Sequence, residues 1–174
     1  MLLHYSDEHK DVIDLQIIHH SYITESCIIP RKPLGHDARR AGWQGCIIDL
    51  GRLPDAARVF LVKDRIEVPW NHVNAKWKAS NAISAYSAES RSWIADVLAI
   101  VEKQPDDFCL SGLYEHEHYL SQLHPKNRNV QAKIRQQLQV LRDMGVIEFK
   151  SPGDYKKTER SKARCGMFGP RLID

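Results

Sequence analysis

The chain has 174 residues, of which 43% are hydrophobic, and a formal net charge of +3, which suits one or two small domains with a packed core. No apolar run is long enough to cross a membrane, and no signal peptide is expected, because charged residues appear within the first seven positions. The four cysteines form no C-x-x-C pair, which argues against a zinc knuckle or a disulfide framework and favours a reducing cytoplasm.

The first half of the chain is predicted to form short strands separated by loops. The strands are expected at residues 2–6, 12–18, 46–50 and 58–63, the last two buried because they are apolar and rich in β-branched residues. Residues 27–33 contain two prolines and predict a loop. Residues 64–90 show no clean period and several turn formers, so they predict a largely irregular connection.

The second half changes to helical periodicity. Residues 90–104 place Trp93, Val97 and Val101 on one face of an amphipathic helix, and a short strand is predicted at 107–110. Ser111 is a candidate N-cap for a helix over 112–123. The clearest helix spans 129–145. Its cap is Asn129, its stop is Gly145, and its apolar stripe consists of Val130, Ile134, Leu138 and Leu141.

Two strands, "VIEFK" and "DYKK", follow this helix and are joined by the tight turn "SPG". The order helix, short strand, helix, turn, helix, β-hairpin predicts a winged helix, whose helices are expected to supply their own core. In that arrangement the second helix of the helix-turn-helix enters the major groove of DNA, and the hairpin lies along the backbone.

The polar side of the candidate recognition helix carries long hydrogen-bond donors. These are Lys133, Arg135, Gln136, Gln139 and Arg142, with Asn127, Asn129 and Gln131 at the N-terminal end. Asparagine and glutamine can pair with adenine, whereas arginine and lysine can neutralise phosphate. A plain amphipathic helix in a protein–protein module is the alternative.

The distribution of charge supports DNA binding. Residues 126–174 carry 12 Lys/Arg against 5 Asp/Glu, whereas residues 89–125 carry 2 against 7. Basic charge is thus collected at the C-terminal end, as expected for a nucleic-acid face, although a solvated basic tail has the same composition.

Candidate metal ligands are weak. A nuclease site needs two carboxylates for Mg²⁺ and a nearby lysine, and the triplets "EHK" (Glu8 to Lys10) and "EFK" (Glu148 to Lys150) offer only the acid–lysine spacing, which is common by chance. In "EHEH", His116 and His118 would point about 200° apart on a helix, so an exposed polar face is favoured over a metal site.

The segments "RKPL…ARRAGWQGCIIDL" and "KIRQQLQVLRDMGVIEFK" resemble the Dam-replacing, or DpnI-like, family of methyl-directed type II restriction endonucleases. The resemblance runs from about residue 2 to about residue 157. It implies an α+β chain: a partial α/β nuclease domain of the PD-(D/E)XK type at residues 1–88, then a winged helix-turn-helix domain at 89–157. Residues 158–174 form a basic tail without an assigned structure.

The resemblance also implies a substrate and a methyl reader. The family cleaves GATC sites whose adenine is N6-methylated, and both of its domains contact methylated duplex DNA. Trp43 matches the family's methyl-contacting tryptophan, with Arg39 and Arg40 placed to hold the flanking phosphates. From the residues alone, Trp43 would instead anchor its loop to the strand "CIIDL".

The family's metal-binding carboxylates and lysine lie upstream of the segment that matches "LLHYS", so the catalytic constellation is expected to be absent from a truncated chain. Mg²⁺ belongs to the complete family enzyme, and no cofactor is expected here. The expected function is DNA binding as part of a methyl-directed restriction endonuclease. The alternatives are a stand-alone winged-helix regulator and one subunit of a split nuclease whose other fragment is separately encoded.

Overall fold

The structure, a computed structural model, describes residues 1–159 of the chain. The first half contains the strands β1 (Leu2–Ser6), β2 (Asp11–Ile18), β3 (Ile28–Pro30), β4 (Cys46–Ile48), β5 (Arg58–Lys63) and β6 (Ile66–Glu67), followed by helix α1 (Trp70–Ser80). The second half contains α2 (Ala88–Lys103), β7 (Asp107–Cys109), α3 (Leu110–Tyr114), α4 (Glu117–Leu123), α5 (Val130–Asp143), β8 (Ile147–Ser151) and β9 (Asp154–Lys157). The predicted α+β class is confirmed. The basic tail lies outside the described residues except for its first two positions.

The strands form three antiparallel sheets within the described range. The largest has the order β1–β2–β5–β6, with α1 in contact with β5. Among residues 1–159, β3 and β4 pair only with each other, and β7–β9–β8 forms the small sheet of the winged helix. Strands predicted at 2–6, 12–18 and 58–63 are confirmed, although β5, which was predicted to be buried, fully buries only Val59.

The β3–β4 hairpin contradicts two sequence predictions. Residues 28–30 lie in the segment predicted as a loop but form β3, and β4 is exposed along its whole length although it was predicted to be buried. Ile28 pairs with Ile48, and Ile29 with Ile47. The β-branched residues favour a strand, as predicted, but local sequence does not say whether another layer packs on it.

Helix α1 contradicts the prediction of an irregular connection at 64–90. It begins after Pro69, whose fixed φ suits the start of a helix, and buries only Val73 and Ser80. The Ser80 hydroxyl donates to the carbonyls of Ala56 (2.6 Å) and Lys76 (2.9 Å). A helix held by so few apolar contacts shows no clear hydrophobic period.

Helix α2 is buried on nearly all sides. It contacts α5 and also three 3-10 turns of the first half, His20–Tyr22, Glu25–Cys27 and Asn81–Ala85. The hydrophobic core is therefore continuous: Tyr22, Cys27 and Ile83 pack in the same cluster as Trp93 and Leu138. The helices of residues 89–157 were expected to supply their own core. This prediction is wrong, because residues that precede α2 cover part of its surface.

A partly buried carboxylate adds a polar contact between the two halves. Glu102, near the end of α2, accepts backbone N–H bonds from Asp55 (2.6 Å) and Ala56 (3.0 Å). Burial raises the pKa of Glu102 to about 7, against the opposing effect of these two donors. Because this folded-state pKa lies above the usual carboxyl value, the stability it contributes is present at acidic pH and is lost as the pH rises through about 7.

The winged helix follows the predicted order with one difference. A single helix capped by Ser111 was predicted, but the structure has two short helices, α3 and α4, and Ser111 lies inside α3. Helix α5 agrees closely with the prediction. The side chain of Asn129 accepts the N–H of Ala132 (3.2 Å), and Gly145 follows the helix with a φ of 68°.

Candidate nucleic-acid interface

Helix α5 presents a polar face to solvent opposite the core. Its buried side chains are Val130, Ile134, Gln137, Leu138 and Leu141. Successive residues turn by about 100°, so Arg135, Gln136, Gln139 and Arg142 come to the opposite side, where all four are exposed. These four residues are called the outer stripe.

The two arginines of the outer stripe differ in their surroundings. Arg135 donates to the hydroxyl of Tyr114 (2.7 Å), a neutral partner that leaves its positive charge available. Arg142 forms an ion pair with the neighbouring Asp143 at 2.9 Å, which partly neutralises it. We therefore expect Arg135 to be the stronger phosphate ligand of the two.

The predicted amides at the start of α5 already serve local structure. Asn127 accepts the N–H of Asn129 (2.8 Å), Asn129 caps the helix, and Gln131 donates to Glu117 of α4 (2.7 Å). Lys133 is partly buried, and its Nζ lies 6.0 Å from the centre of the Trp93 ring. Asn127 and Asn129 thus hold the turn and the start of α5, and Gln131 joins α5 to α4.

Sequence reasoning left out two basic residues beside the outer stripe. Lys126 and Arg128 are exposed in the turn between α4 and α5. The excess of positive charge after residue 126 was a signal for them. Their position just before α5 places positive charge next to the outer stripe.

The loop that joins β3 to β4 carries Arg39, Arg40 and Trp43, all exposed. Leu34 N–H donates to the carbonyl of Trp43 (2.9 Å), and Trp43 N–H donates to that of Arg40 (3.0 Å), which gives the loop a defined shape. The structure thus places the predicted residues in two sets, one on this loop and one on and just before α5.

Two glycines explain how Trp43 is held in the loop. Gly42 has a φ of 78°, a conformation that favours glycine. A Cβ at Gly45 would lie 2.9 Å from the Trp43 ring, so the indole rests against the Gly45 backbone. Trp43 remains 55% exposed, which leaves a large apolar surface open.

The two acid–lysine triplets do not fit a Mg²⁺ site in the described residues. Within residues 1–159, no three histidine, cysteine or acidic side chains lie close enough together to hold a metal ion. Lys10 pairs with Asp7 (3.6 Å) and Lys150 with Asp107 (2.7 Å). No catalytic step is assigned to these groups.

An exposed recognition helix, a basic turn before it and a β-hairpin after it define a winged-helix DNA-binding protein. A family model described as a Dam-replacing HTH domain matches residues 89–157, and one described as the Dam-replacing family matches residues 1–86. The chain belongs to the Dam-replacing family. The resemblance noted from the sequence is confirmed. The family and its helix-turn-helix domain support a DNA-binding function of the kind found in restriction enzymes. No helix in residues 1–159 is long and apolar enough to cross a membrane.

Proposed function

We propose that the chain binds duplex DNA containing N6-methyladenine in GATC sites through two surfaces, the outer stripe of α5 and the β3–β4 loop. The observation that carries this proposal is the exposed outer stripe, presented by a helix-turn-helix in a member of the Dam-replacing family. Gln136 and Gln139 supply amides suited to adenine, and Arg135 supplies a charge for phosphate. Binding to GATC duplexes that is indifferent to methylation would favour the stand-alone regulator instead.

Trp43 is the methyl reader in this proposal. The N6 position of adenine faces the major groove, and the exposed indole offers a flat apolar surface to a methyl group there. Arg39 and Arg40 precede it in the same exposed loop and can contact the flanking phosphates. The support of the ring by Gly45 orients it before DNA arrives, which lowers the ordering cost of binding.

Replacing Trp43 by alanine is expected to reduce the preference for methylated over unmethylated GATC duplexes by on the order of tenfold. Burial of one methyl group contributes about 0.8 kcal/mol, and a fully methylated site offers two. The measurement is the ratio of dissociation constants by fluorescence anisotropy.

Trp70→Ala is the matched control, because Trp70 is 69% exposed at the start of α1, a different element from this loop. It should leave the ratio unchanged. An unchanged ratio in Trp43→Ala, accompanied by a lower melting temperature, would instead support the role of Trp43 as a loop anchor.

The purified chain is expected to leave fully methylated GATC plasmid supercoiled in the presence of Mg²⁺. Phosphodiester hydrolysis of this type needs two carboxylates on the metal, and each acid–lysine triplet supplies one. Agarose electrophoresis measures the result. Nicking that is abolished by Glu148→Ala would contradict the expectation and assign the site to the β8–β9 hairpin.

The partner in a split enzyme would be a separately encoded nuclease fragment. One observation supports this alternative: β1 is an edge strand of its sheet, with Leu3 61% and Tyr5 45% exposed. An open edge can pair with another strand. Cleavage that appears in the plasmid assay only after such a fragment is added would establish the split enzyme.

A further inference from the structure

A chain of buried polar groups runs through the contact between the two halves. The hydroxyls of Thr24 and Ser26 lie 2.8 Å apart, and the Ser26 hydroxyl donates to Oδ1 of Asp96 (2.8 Å). The other carboxylate oxygen of Asp96 lies 2.8 Å from Nε2 of His124. Asp96 is only 5% exposed, and Ser26 only 8%.

The ends of this chain lie on the segments that lead into the two surfaces proposed to contact DNA. Ser26 comes two residues before β3, so it stands at the base of the hairpin that carries Trp43. His124 directly follows α4 and opens the turn that leads into α5. Asp96, in the middle of α2, joins them.

Further contacts fix both ends. Arg52, which follows β4, donates from Nη1 to the carbonyl of Ser26 (2.6 Å), and Asp49 N–H donates to the carbonyl of Cys27 (2.8 Å). The His124 ring stacks on Trp93, with ring centres 3.8 Å apart and planes 15° apart. The Ser26 end is therefore tied to the segment that follows β4, and the His124 end is held against α2 in the turn that leads into α5.

Burial of a carboxylate is costly unless it is well paired, and an apolar group of similar size is often as stable in its place. A contribution to folding stability therefore does not explain well why a carboxylate, Asp96, occupies this buried position. Hydrogen bonds, unlike apolar contacts, depend strongly on direction, so this chain fixes an orientation.

We propose that Asp96, held between Ser26 and His124, is a positioning residue that sets the angle between the β3–β4 hairpin and α5, so that both contact one duplex at the same time. This inference rests on the proposed function, since it needs both surfaces to bind DNA. Two sites on a rigid body gain from each other because the first contact raises the effective concentration of the second. Without the fixed angle, that gain disappears.

A double-mutant cycle tests this coupling in the full chain. The loop change Arg39→Ala/Arg40→Ala is made in the unaltered chain and in Ser26→Ala, and dissociation constants for a methylated GATC duplex are measured by anisotropy. We expect the fold-loss caused by the loop change to be at least about threefold smaller in the Ser26→Ala background.

Two further variants control this cycle. Ser121→Ala removes a hydroxyl that donates locally to the carbonyl of His118, and the loop change should cost as much there as in the unaltered chain. His124→Phe keeps a ring on Trp93 but removes the donor to Asp96, so it should reduce the fold-loss as Ser26→Ala does. If circular dichroism shows that Ser26→Ala does not fold, His124→Phe replaces it in the cycle.

The outcomes separate the two proposals. Equal fold-losses in all backgrounds, with folding retained, would overturn the coupling and leave DNA binding intact. Absence of binding by the unaltered chain at low salt would overturn the proposed function and the coupling together.

Discussion

Replacing Ile83 by alanine is expected to lower the free energy of unfolding by about 2–5 kcal/mol and to destabilise α5, although Ile83 lies outside the winged helix. Ile83 is fully buried in the 3-10 turn Asn81–Ala85, which contacts α2. Removal of its methylene and methyl groups leaves a cavity in the core that both halves share. Domains of this size are stable by about 5–15 kcal/mol, so the loss is a large fraction of the total.

Urea unfolding measures the total loss, and hydrogen exchange of the α5 amides shows whether it reaches the winged helix. Ile66→Ala is the matched control, because Ile66 is 71% exposed in the same half of the chain. It should cost less than about 0.5 kcal/mol. Unchanged protection of α5 in Ile83→Ala would show that the halves unfold independently.

Removing the two arginines of the outer stripe is expected to weaken DNA binding to every sequence, by roughly thirtyfold at about 0.15 M salt. An arginine that binds a phosphate releases counterions from the DNA, so removing each such arginine should also flatten the log–log salt dependence by about one unit. Arg135→Ala should account for the larger share, since Arg142 is already paired with Asp143.

Arg65→Ala is the control for this pair. Arg65 is an exposed arginine at the turn between β5 and β6, with Asp11 3.9 Å away. Its removal should leave the salt slope unchanged. If the Arg135→Ala/Arg142→Ala variant kept the unaltered slope, the outer stripe would not face the DNA backbone, and the assignment of α5 as the recognition helix would be wrong.

The sequence predicted the winged helix well because its signals are local. The four apolar residues of α5 repeat at helical spacing, and Asn129 and Gly145 mark its ends. Helix α1 was missed because Ser80 holds it through backbone carbonyls, which leave no periodic pattern. The exposure of β4 could not be predicted, since the same β-branched residues suit a buried strand and a projecting one.

The candidate interface was predictable in part. Exposure of Arg135, Gln136 and Gln139 follows from the helical period, and the structure places them as predicted. Contacts between distant positions, such as Gln131 with Glu117, depend on the packing of two helices and leave no trace in either segment. The chain from Ser26 through Asp96 to His124 was missed for the same reason.

The burial of α2 on both sides limits how this protein can be recombined with others. The two family matches meet between residues 86 and 89, which invites a crossover there in a chimeric gene. A winged helix moved to a new host at that junction would carry a helix whose back is apolar and uncovered. A functional chimera must therefore also include the turns that contain Tyr22, Cys27 and Ile83. Alternatively, the apolar residues of α2 that these turns cover must be replaced by polar ones.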